Sequence, residues 1–473
     1  MKKPYLLLLL AFLCLLFANN SFLYADEGDS ITYKRNLWFY AQRFNPHDSI
    51  PPGAMQNALS ERNALLANGY YLNPMSNNWI NIGPNYPWNG GRVNFVKYAD
   101  ANTVIIGAPH GGLWRTTNNS TWVSMDPNNQ LGSNHSGSIA IDNSHNPPFI
   151  YYGTGEGIYG FDYAYFGKGI FKTTDWGNTW EEINNGLPIN LFLKVFRITI
   201  RPEHPDEIFA ATNQGLYRTS TGGINWFVID GTYGKNCNDI KFSYQEPLKA
   251  FLVGPSEGNR YIPGVGYRES TDGGLTFEVK DRGFNPSGRS HIEVFEQNDN
   301  YIFAISDIDD NTKLYRSTNG GLNFIQKFAT NMTNYGGYVM SLKVVLPEQG
   351  DVPIDIYLGG IDLYKSTNTG DDFCRITGDP VECGYSNIGQ HDDNHFIDVK
   401  PGSVNDISVV NDGGIIKTSN GGYGWESFNS NLSLSLIYRI NSGSNGTFLG
   451  IQDNGIGTLT TPNGMPSKKW TKN

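Results

Sequence analysis

A short motif recurs seven times along the chain at near-constant spacing, and a repeat of this kind constrains the fold more than any local pattern. Its consensus is Ser/Thr-x-Asp/Asn-x-Gly-x-x-Trp/Phe, and we call each copy a repeated turn. The copies occupy residues 116–122, 173–180, 219–226, 270–277, 317–324, 366–373 and 418–425. Successive copies start 57, 46, 51, 47, 49 and 52 residues apart. A unit of about fifty residues predicts four short antiparallel strands, the size of one blade of a β-propeller.

The residue types within each repeated turn predict a structural role. An apolar strand precedes each copy and another follows it. The acidic or amide side chain accepts backbone N–H bonds across the turn, and the glycines adopt positive φ. These positions are Asp175, Asp272, Asn319, Asn368 and Asn420. The closing Trp or Phe is expected to pack beside the neighbouring repeat, so we assign no catalysis to these turns.

The blade count remains open between seven and eight. Residues 436–473 contain further strand-like segments after the seventh copy, and residues 79–82 (WINI) read as an outer strand suited to closing a ring. The predicted fold is an all-β, seven- or eight-bladed propeller over residues 79–473. The sequence leaves open whether the propeller continues beyond residue 473. Residues 26–78 form a short helical lead, with a helix predicted over residues 54–68.

The first residues carry a secretion signal. Lys2 and Lys3 precede an apolar run over residues 5–17, and Ala25 provides a small residue at the exit. This pattern predicts a signal peptide over residues 1–25. No later apolar segment is long enough to span a bilayer. The expected location is therefore extracellular or at the cell surface.

Export favours disulfide formation, and the cysteine positions suggest one bridge. Cys374 and Cys383 flank a turn-rich stretch that can close on itself. Cys237 would then remain free or buried. No pair of cysteines has the spacing of a structural zinc site.

The charge balance excludes one class of partner. The 473 residues include 45 acidic and 35 basic side chains, for a formal net charge of −10, and no run of Lys or Arg occurs. Nucleic acids and anionic membranes are therefore not expected to bind. An extracellular glycan or protein is the expected partner, and the sequence leaves the oligomeric state open.

The repeated turns resemble those of the Asp-box (BNR) β-propellers, which include sialidases, the sortilin ectodomain and the xyloglucanase-type glycosidases. The resemblance covers residues 79–473 and is strengthened by NWINIGP and GGRV within residues 78–93 and by GIQDNG at residues 450–455. It implies a propeller, and glycosidase or binding activity. The sialidase Arg-Ile-Pro motif has its nearest match in FRITI at residues 196–200, which lacks the proline. The xyloglucanase aspartate before Gly-Gly in the first blade is replaced here by Pro109 or His110.

Candidate chemistry lies on the side of the propeller opposite the repeated turns, where the turns between second and third strands meet the beginnings of the first strands. Glu156 and Asp412 fall in such turns and are the candidate acid and base for glycosidic cleavage. His391, Asp393 and His395 are expected on one face of a strand. The alternative to glycosidic cleavage is that these three side chains hold a divalent metal. No cofactor is otherwise indicated. A third interpretation is that these histidines and acids only bond to neighbouring loops.

An aromatic segment suggests the class of ligand. The turn at residues 158–169 is extended and rich in aromatic residues that suit the C–H faces of sugar rings. The candidate ligand-binding residues here and in other turns of the same side are His110, Tyr159, Phe161, Tyr163, Tyr165 and Asp453. Tyr86 and Trp88 are expected nearby. The alternative is a loop that folds over an apolar edge or contacts another domain.

The sequence therefore favours a secreted binding module for an extracellular ligand, most plausibly a polysaccharide or glycan. A glycoside hydrolase of xyloglucanase or sialidase type is the first alternative. Sortilin-like binding of a protein or peptide is the second.

Overall fold

The computed structural model describes residues 53–68, 90–133, 135–157, 165–257, 263–308, 311–333, 337–346, 353–378, 381–385, 391–432, 434–435, 437–443, 446–451, 455–460 and 469–472. The predicted signal peptide, most of the helical lead and the predicted strand at residues 79–82 lie outside these residues. So do Tyr86, Trp88, Tyr159, Phe161, Tyr163 and Asp453.

In the described part of the chain one helix, α1 (Ala54–Ala67), precedes the strands, close to the predicted bounds. It contacts the segment between the second and third blades, since Gln56 Nε2 donates to Ile189 O at 2.8 Å. No helix in the described part of the chain combines the length and apolar character needed to cross a membrane.

Seven four-stranded antiparallel sheets form the blades of the propeller. The first blade comprises β1 (Phe95–Tyr98), β2 (Val104–Ala108), β3 (Gly112–Thr116) and β4 (Val123–Ser124). The second comprises β5 (Ser136–Asp142), β6 (Phe149–Thr154), β7 (Ile170–Thr173) and β8 (Glu181–Glu182). The third comprises β9 (Val195–Arg201), β10 (His204–Thr212), β11 (Gly215–Thr219) and β12 (Phe227–Val228). The fourth blade comprises β13 (Asp239–Phe242), β14 (Ala250–Val253), β15 (Tyr267–Ser270) and β16 (Glu278–Val279). The fifth comprises β17 (Ser290–Val294), β18 (Ile302–Ile308), β19 (Asn311–Ser317) and β20 (Ile325–Thr333). The sixth blade comprises β21 (Ser341–Val345), β22 (Asp355–Gly359), β23 (Leu363–Ser366) and β24 (Cys374–Arg375). The seventh comprises β25 (Phe396–Val399), β26 (Ile407–Asn411), β27 (Gly414–Thr418) and β28 (Glu426–Ser427).

The ring closes between the first and seventh blades. Strands β1 and β25 pack side by side, and Val93 N donates to Asn411 O at 3.1 Å. One hydrophobic cluster joins Trp122 of the first blade to Phe428 and Leu432 of the seventh. The propeller therefore has seven blades.

An eighth sheet follows the ring. It contains β29 (Ile437–Gly443), β30 (Gly446–Ile451), β31 (Gly455–Thr460) and β32 (Lys469–Lys472). Each of the seven blades packs against its two neighbours, whereas no such packing links the strands of this sheet to a blade among the described residues. It is therefore additional to the seven-bladed ring.

Each repeated turn joins the third and fourth strands of its blade, as the sequence predicts. In the second blade, Thr179 N donates to Asp175 Oδ1 at 2.9 Å and Gly177 N donates to Thr173 Oγ1 at 2.9 Å. Gly177 has a φ of +85°, where a side chain would be strained. The same bonds recur at Asp272, Asn319, Asn368 and Asn420. The turn is thus fixed by local hydrogen bonds.

The aromatic residue that closes a repeated turn connects its blade to the preceding one. Trp180 Nε1 donates to Met125 O at 2.7 Å, and Trp226 Nε1 donates to Ile183 O at 2.7 Å. Trp122 of the first blade donates in the same way to Phe428 O of the seventh, at 3.1 Å. The motif therefore holds adjacent blades together around the ring.

The structure contains the Cys374–Cys383 disulfide and a buried Cys237 thiol.

Candidate functional site

The turns between second and third strands share one side of the ring with the segments that lead into the first strands, because adjacent strands of each blade are antiparallel. Arg92, Glu156, Tyr338, His395 and Asp412 meet on this side. We call the surface around them the axial mouth, and these five residues the Asp412 cluster.

Hydrogen bonds from two blades converge on the Asp412 carboxylate. His395 Nε2 lies 2.6 Å from Asp412 Oδ1. The Tyr338 hydroxyl donates to Asp412 Oδ1 and Oδ2 at 3.0 and 2.8 Å. It also accepts a bond of 3.1 Å from Arg92 Nη1. The carboxylate is thus fully engaged.

Arg92 links the two candidate catalytic acids. Its Nη2 forms an ion pair with Glu156, and its Nε lies 3.9 Å from Asp412 Oδ1. Glu156 has no exposed surface and Asp412 is 2% exposed. A buried guanidinium between two carboxylates compensates charges that would otherwise be costly to bury.

Burial, hydrogen bonds and charge shift the pKa values of Asp412 and His395. Burial alone would raise the pKa of Asp412, but the hydrogen bond from His395, the charge of Arg92 and the hydrogen bond from Tyr338 hold that pKa well below its usual range. Burial lowers the pKa of His395. A neutral imidazole that donates from Nε2 to an ionised Asp412 satisfies both shifts.

The predicted acid–base pair is consequently poorly suited to catalysis. A general acid needs a pKa near the working pH and contact with the substrate. Asp412 has neither, and Glu156 is enclosed and paired to Arg92. The sequence pattern located both acids on the correct side of the ring but gave no sign of the arginine between them.

No local sequence pattern predicts two further residues of the cluster, Arg92 and Tyr338. Arg92 belongs to the GGRV segment, whose only signal is its resemblance to other propellers. Tyr338 precedes β21 in a segment that matches no repeated pattern. An unexplained arginine next to paired glycines was the available signal for Arg92.

His110 and Tyr165, both predicted to bind ligand, lie together at the axial mouth. Their ring centroids are 4.0 Å apart in an edge-to-face arrangement, and His135 lies 5.1 Å from His110 and 5.3 Å from Tyr165. His135 Nδ1 bonds to Phe166 O at 3.0 Å. All three rings are half-buried, so each keeps part of its surface accessible. We call His110, His135 and Tyr165 the aromatic group.

The expected strand face with His391, Asp393 and His395 does not form. Strand β25 begins only at Phe396, and Asp393 has a φ of +70°, which breaks the alternation of side chains. His395 turns inward to Asp412, whereas the ring of His391 bonds to Asp392 O at 3.1 Å. Within the described ranges, no group of three or more His, Cys, Asp or Glu residues is arranged to hold a metal ion. The one-face prediction is therefore wrong.

Below the axial mouth, charged side chains from the first strands fill the channel. Arg197 Nε bonds to Asp239 Oδ1 at 2.8 Å, and Lys241 Nζ lies 2.9 Å from Glu293 Oε1. Asp398 sits 3.6 Å from the Lys97 ammonium and equally far from that of Lys343.

A cavity of about 40 Å³ remains on the axis, bounded at the mouth by Asn94 and Gly157 and deeper by Lys97 and His291. This volume accommodates a few water molecules but not a sugar ring. A ligand of that size must therefore rest on the mouth itself.

The fold and this plugged channel define the chain as a seven-bladed β-propeller. Similar solved structures include an ancestral GH74 enzyme (TM-score 0.57, 17% identity, 80% of this chain and 54% of that one). The GH74 enzyme of Niastella koreensis matches at TM-score 0.57 and 16% identity, over 80% of this chain and 60% of that one. The GH74 xyloglucanase of Xanthomonas campestris matches at TM-score 0.58 and 13% identity, over 83% and 68%. This chain thus spans less than two-thirds of the first two enzymes, and identities this low show a shared fold alone.

No protein-family model and no curated protein sequence matches the chain.

Proposed function

We propose that this chain is an extracellular module that binds a polysaccharide at its axial mouth. The observation that carries the proposal is the aromatic group, three half-buried rings at the rim of a channel too narrow for a sugar. Ring faces with adjacent polar groups suit the C–H faces of sugars. The fold similarity to GH74 enzymes supports a carbohydrate ligand, and the predicted signal peptide supports an extracellular location.

The Asp412 cluster favours binding over hydrolysis. A glycosidase needs one carboxylic acid to protonate the leaving oxygen and one carboxylate opposite it. Here Asp412 is held ionised by its donors, Glu156 is paired with Arg92, and both side chains are enclosed. The cluster instead makes a rigid base beneath the aromatic group. It connects the first, second and seventh blades with Tyr338, which precedes the sixth blade.

Gel retardation and release of reducing ends, followed in the same samples, test this proposal. The chain from residue 26 onward is run through gels that contain a panel of soluble polysaccharides. We expect retardation by at least one polysaccharide and no new reducing ends. Release of reducing ends that is lost in Asp412→Asn would establish a glycosidase instead. Absence of both signals across the panel would leave a protein ligand as the better hypothesis.

Variants of the aromatic group locate the binding surface. His110→Ala and Tyr165→Ala should each weaken retardation roughly three- to tenfold, the scale of one aromatic contact. Tyr423→Ala is the matched control, because Tyr423 is 55% exposed within a repeated turn on the opposite side of the ring. Equal loss in the control would place binding elsewhere.

A further inference from the structure

The axial cavity is lined by three cationic side chains and, among the described residues, by no carboxylate. These side chains are Lys97, Arg197 and Arg289, and His291 and His395 also contribute to the wall. Most of the channel's cations are matched by carboxylates, so this lining is unusual within the molecule.

The carboxylates behind the cavity are already shared. Asp398 lies 3.6 Å from both Lys97 and Lys343, so one negative charge serves two ammonium groups. Asp239 bonds Arg197 at 2.8 Å and also lies 3.4 Å from His291 Nδ1. Positive charge therefore remains in excess around the cavity.

Arg289 is the least compensated of the three. Its Nη1 donates to Gly337 O at 2.7 Å and to Tyr338 O at 3.2 Å. No carboxylate in the described ranges lies within ion-pair distance of it, although Asp239 and Asp307 act on it from further away. Burial, followed by the repulsion of Arg197, lowers the pKa of Arg289 to about 10. An anion beside this guanidinium would relieve both effects.

Two acceptors complete the wall. His395 Nδ1 and Asn94 Oδ1 are buried and have no hydrogen-bond partner among the described residues. His395 Nε2 faces Asp412 and Asn94 Nδ2 donates to Ser136 O at 3.0 Å, so the remaining atom of each accepts. A group that enters this cavity can place a negative charge beside the cations, and its hydroxyl groups can donate to these two acceptors.

We propose that the axial cavity receives the carboxylate of a uronic acid residue, so that the polysaccharide ligand of this propeller is acidic. The inference rests on the proposed function and specifies its ligand. About 40 Å³ admits a carboxylate while the sugar ring stays above it. Gly157 of the cavity wall follows Glu156, whose N donates to Tyr165 O at 2.9 Å, so the cavity adjoins the aromatic group. Ring and carboxylate therefore contact neighbouring parts of the mouth.

Esterification tests the charge without changing the sugar backbone. Polygalacturonate, alginate and hyaluronan are each compared with their methyl esters by gel retardation of the whole chain from residue 26. We expect at least one acid form to be retained and its ester to bind ten- to a hundredfold more weakly, the scale of a charge-assisted hydrogen bond.

Two substitutions separate charge from structure. Arg289→Gln should lower binding of the acid form ten- to a hundredfold. Arg289→Lys keeps the charge and should retain most of the binding. Arg282→Gln is the control, since Arg282 pairs with Glu269 away from the cavity. Thermal unfolding of each variant checks that it folds.

Three kinds of result would overturn the inference. Equal retention of acid and ester, or retention of neutral polysaccharides alone, overturns the inference and leaves the proposed function intact. Unchanged binding in Arg289→Gln, or equal loss in Arg289→Lys, also overturns it. Retention of no polysaccharide at all overturns both proposals.

Discussion

His395 Nε2 lies 2.6 Å from Asp412 Oδ1, and this buried contact joins the segment that enters β25 to the turn between β26 and β27. Tyr338 adds a bond from the segment that precedes the sixth blade, and Arg92 adds charge from the first. One carboxylate thereby anchors three blades at the axial mouth.

Removal of this carboxylate should destabilise the fold. Asp412→Ala leaves His395, Tyr338 and part of the charge of Arg92 without their buried partner, a loss of about 3–5 kcal/mol. Urea unfolding followed by tryptophan fluorescence measures it. Asp392→Ala, at an exposed position in the same segment, should change little. An unaltered unfolding free energy in Asp412→Ala would instead fit a free catalytic acid.

Stability should fall as the solution becomes acidic, beginning with His291. Burial is the main cause that lowers the pKa of His291 from 6.5 to about 4. The unfolded chain therefore binds the additional proton between these values, and about 3 kcal/mol is lost as pH falls from 6.5 to 4. Below about pH 4 the depressed pKa of Asp412 adds a further loss, because its ionised form stabilises the folded state.

Substitution of the histidine isolates this contribution. Urea unfolding between pH 4 and 7 should show a flatter profile for His291→Gln than for the parent chain. His204→Gln, at an exposed position, should reproduce the parent profile. Identical slopes for all three proteins would show that His291 does not titrate in this way.

The seven-bladed ring should fold without the eighth sheet. Leu434 N donates to Gly90 O at 3.0 Å, and the cluster that closes the ring ends at Leu434. A chain that stops at residue 435 should therefore keep the unfolding midpoint of the ring. Circular dichroism during heating measures it.

Trp122, which joins the first blade to the seventh, provides a destabilising comparison in the shortened chain. Trp122→Ala should cost about 3–5 kcal/mol, because it removes a buried ring and its bond to Phe428 O. Val123→Ala, at a neighbouring side chain that is 47% exposed, should have little effect. A shortened chain that unfolds well below the parent would assign the eighth sheet to the stability of the ring.

The disulfide should leave one thiol, which reacts only on unfolding. In a chain expressed from residue 26, native protein should give no reaction with a thiol reagent, and denatured protein should give one equivalent from the buried Cys237. Replacing Cys374 and Cys383 by serine should lower the unfolding free energy by roughly 2–3 kcal/mol, as expected for a short closed loop. Three equivalents in denatured parent protein would contradict the bridge.

Much of the fold follows from local signals. Asp175 and Thr179 lie four residues apart, and the hydrogen bond between them forms within one turn. The motif therefore predicted where third and fourth strands meet in each blade, and its period predicted the propeller. The helix over Ala54–Ala67 likewise reflects residues that are close in sequence.

The candidate site was only partly accessible to the same reasoning. Glu156, His395 and Asp412 were assigned to the correct side of the ring, because that side depends on strand order. The metal interpretation relied on strand alternation that the positive φ of Asp393 breaks. Arg92 was not selected, since its partners are distant in sequence and no local pattern marks them.

The sequence by itself determined the repeating blade, its turns and the side of the propeller that carries the candidate residues, because these depend on contacts within about fifty residues. Only the tertiary structure decided that β1 closes on β25 in a ring of seven. It alone brought Arg92 between Glu156 and Asp412 and left a cavity beside Arg289 without a carboxylate. These contacts join residues that come from different blades and lie far apart in the sequence, and their pairing depends on how seven blades pack around one axis.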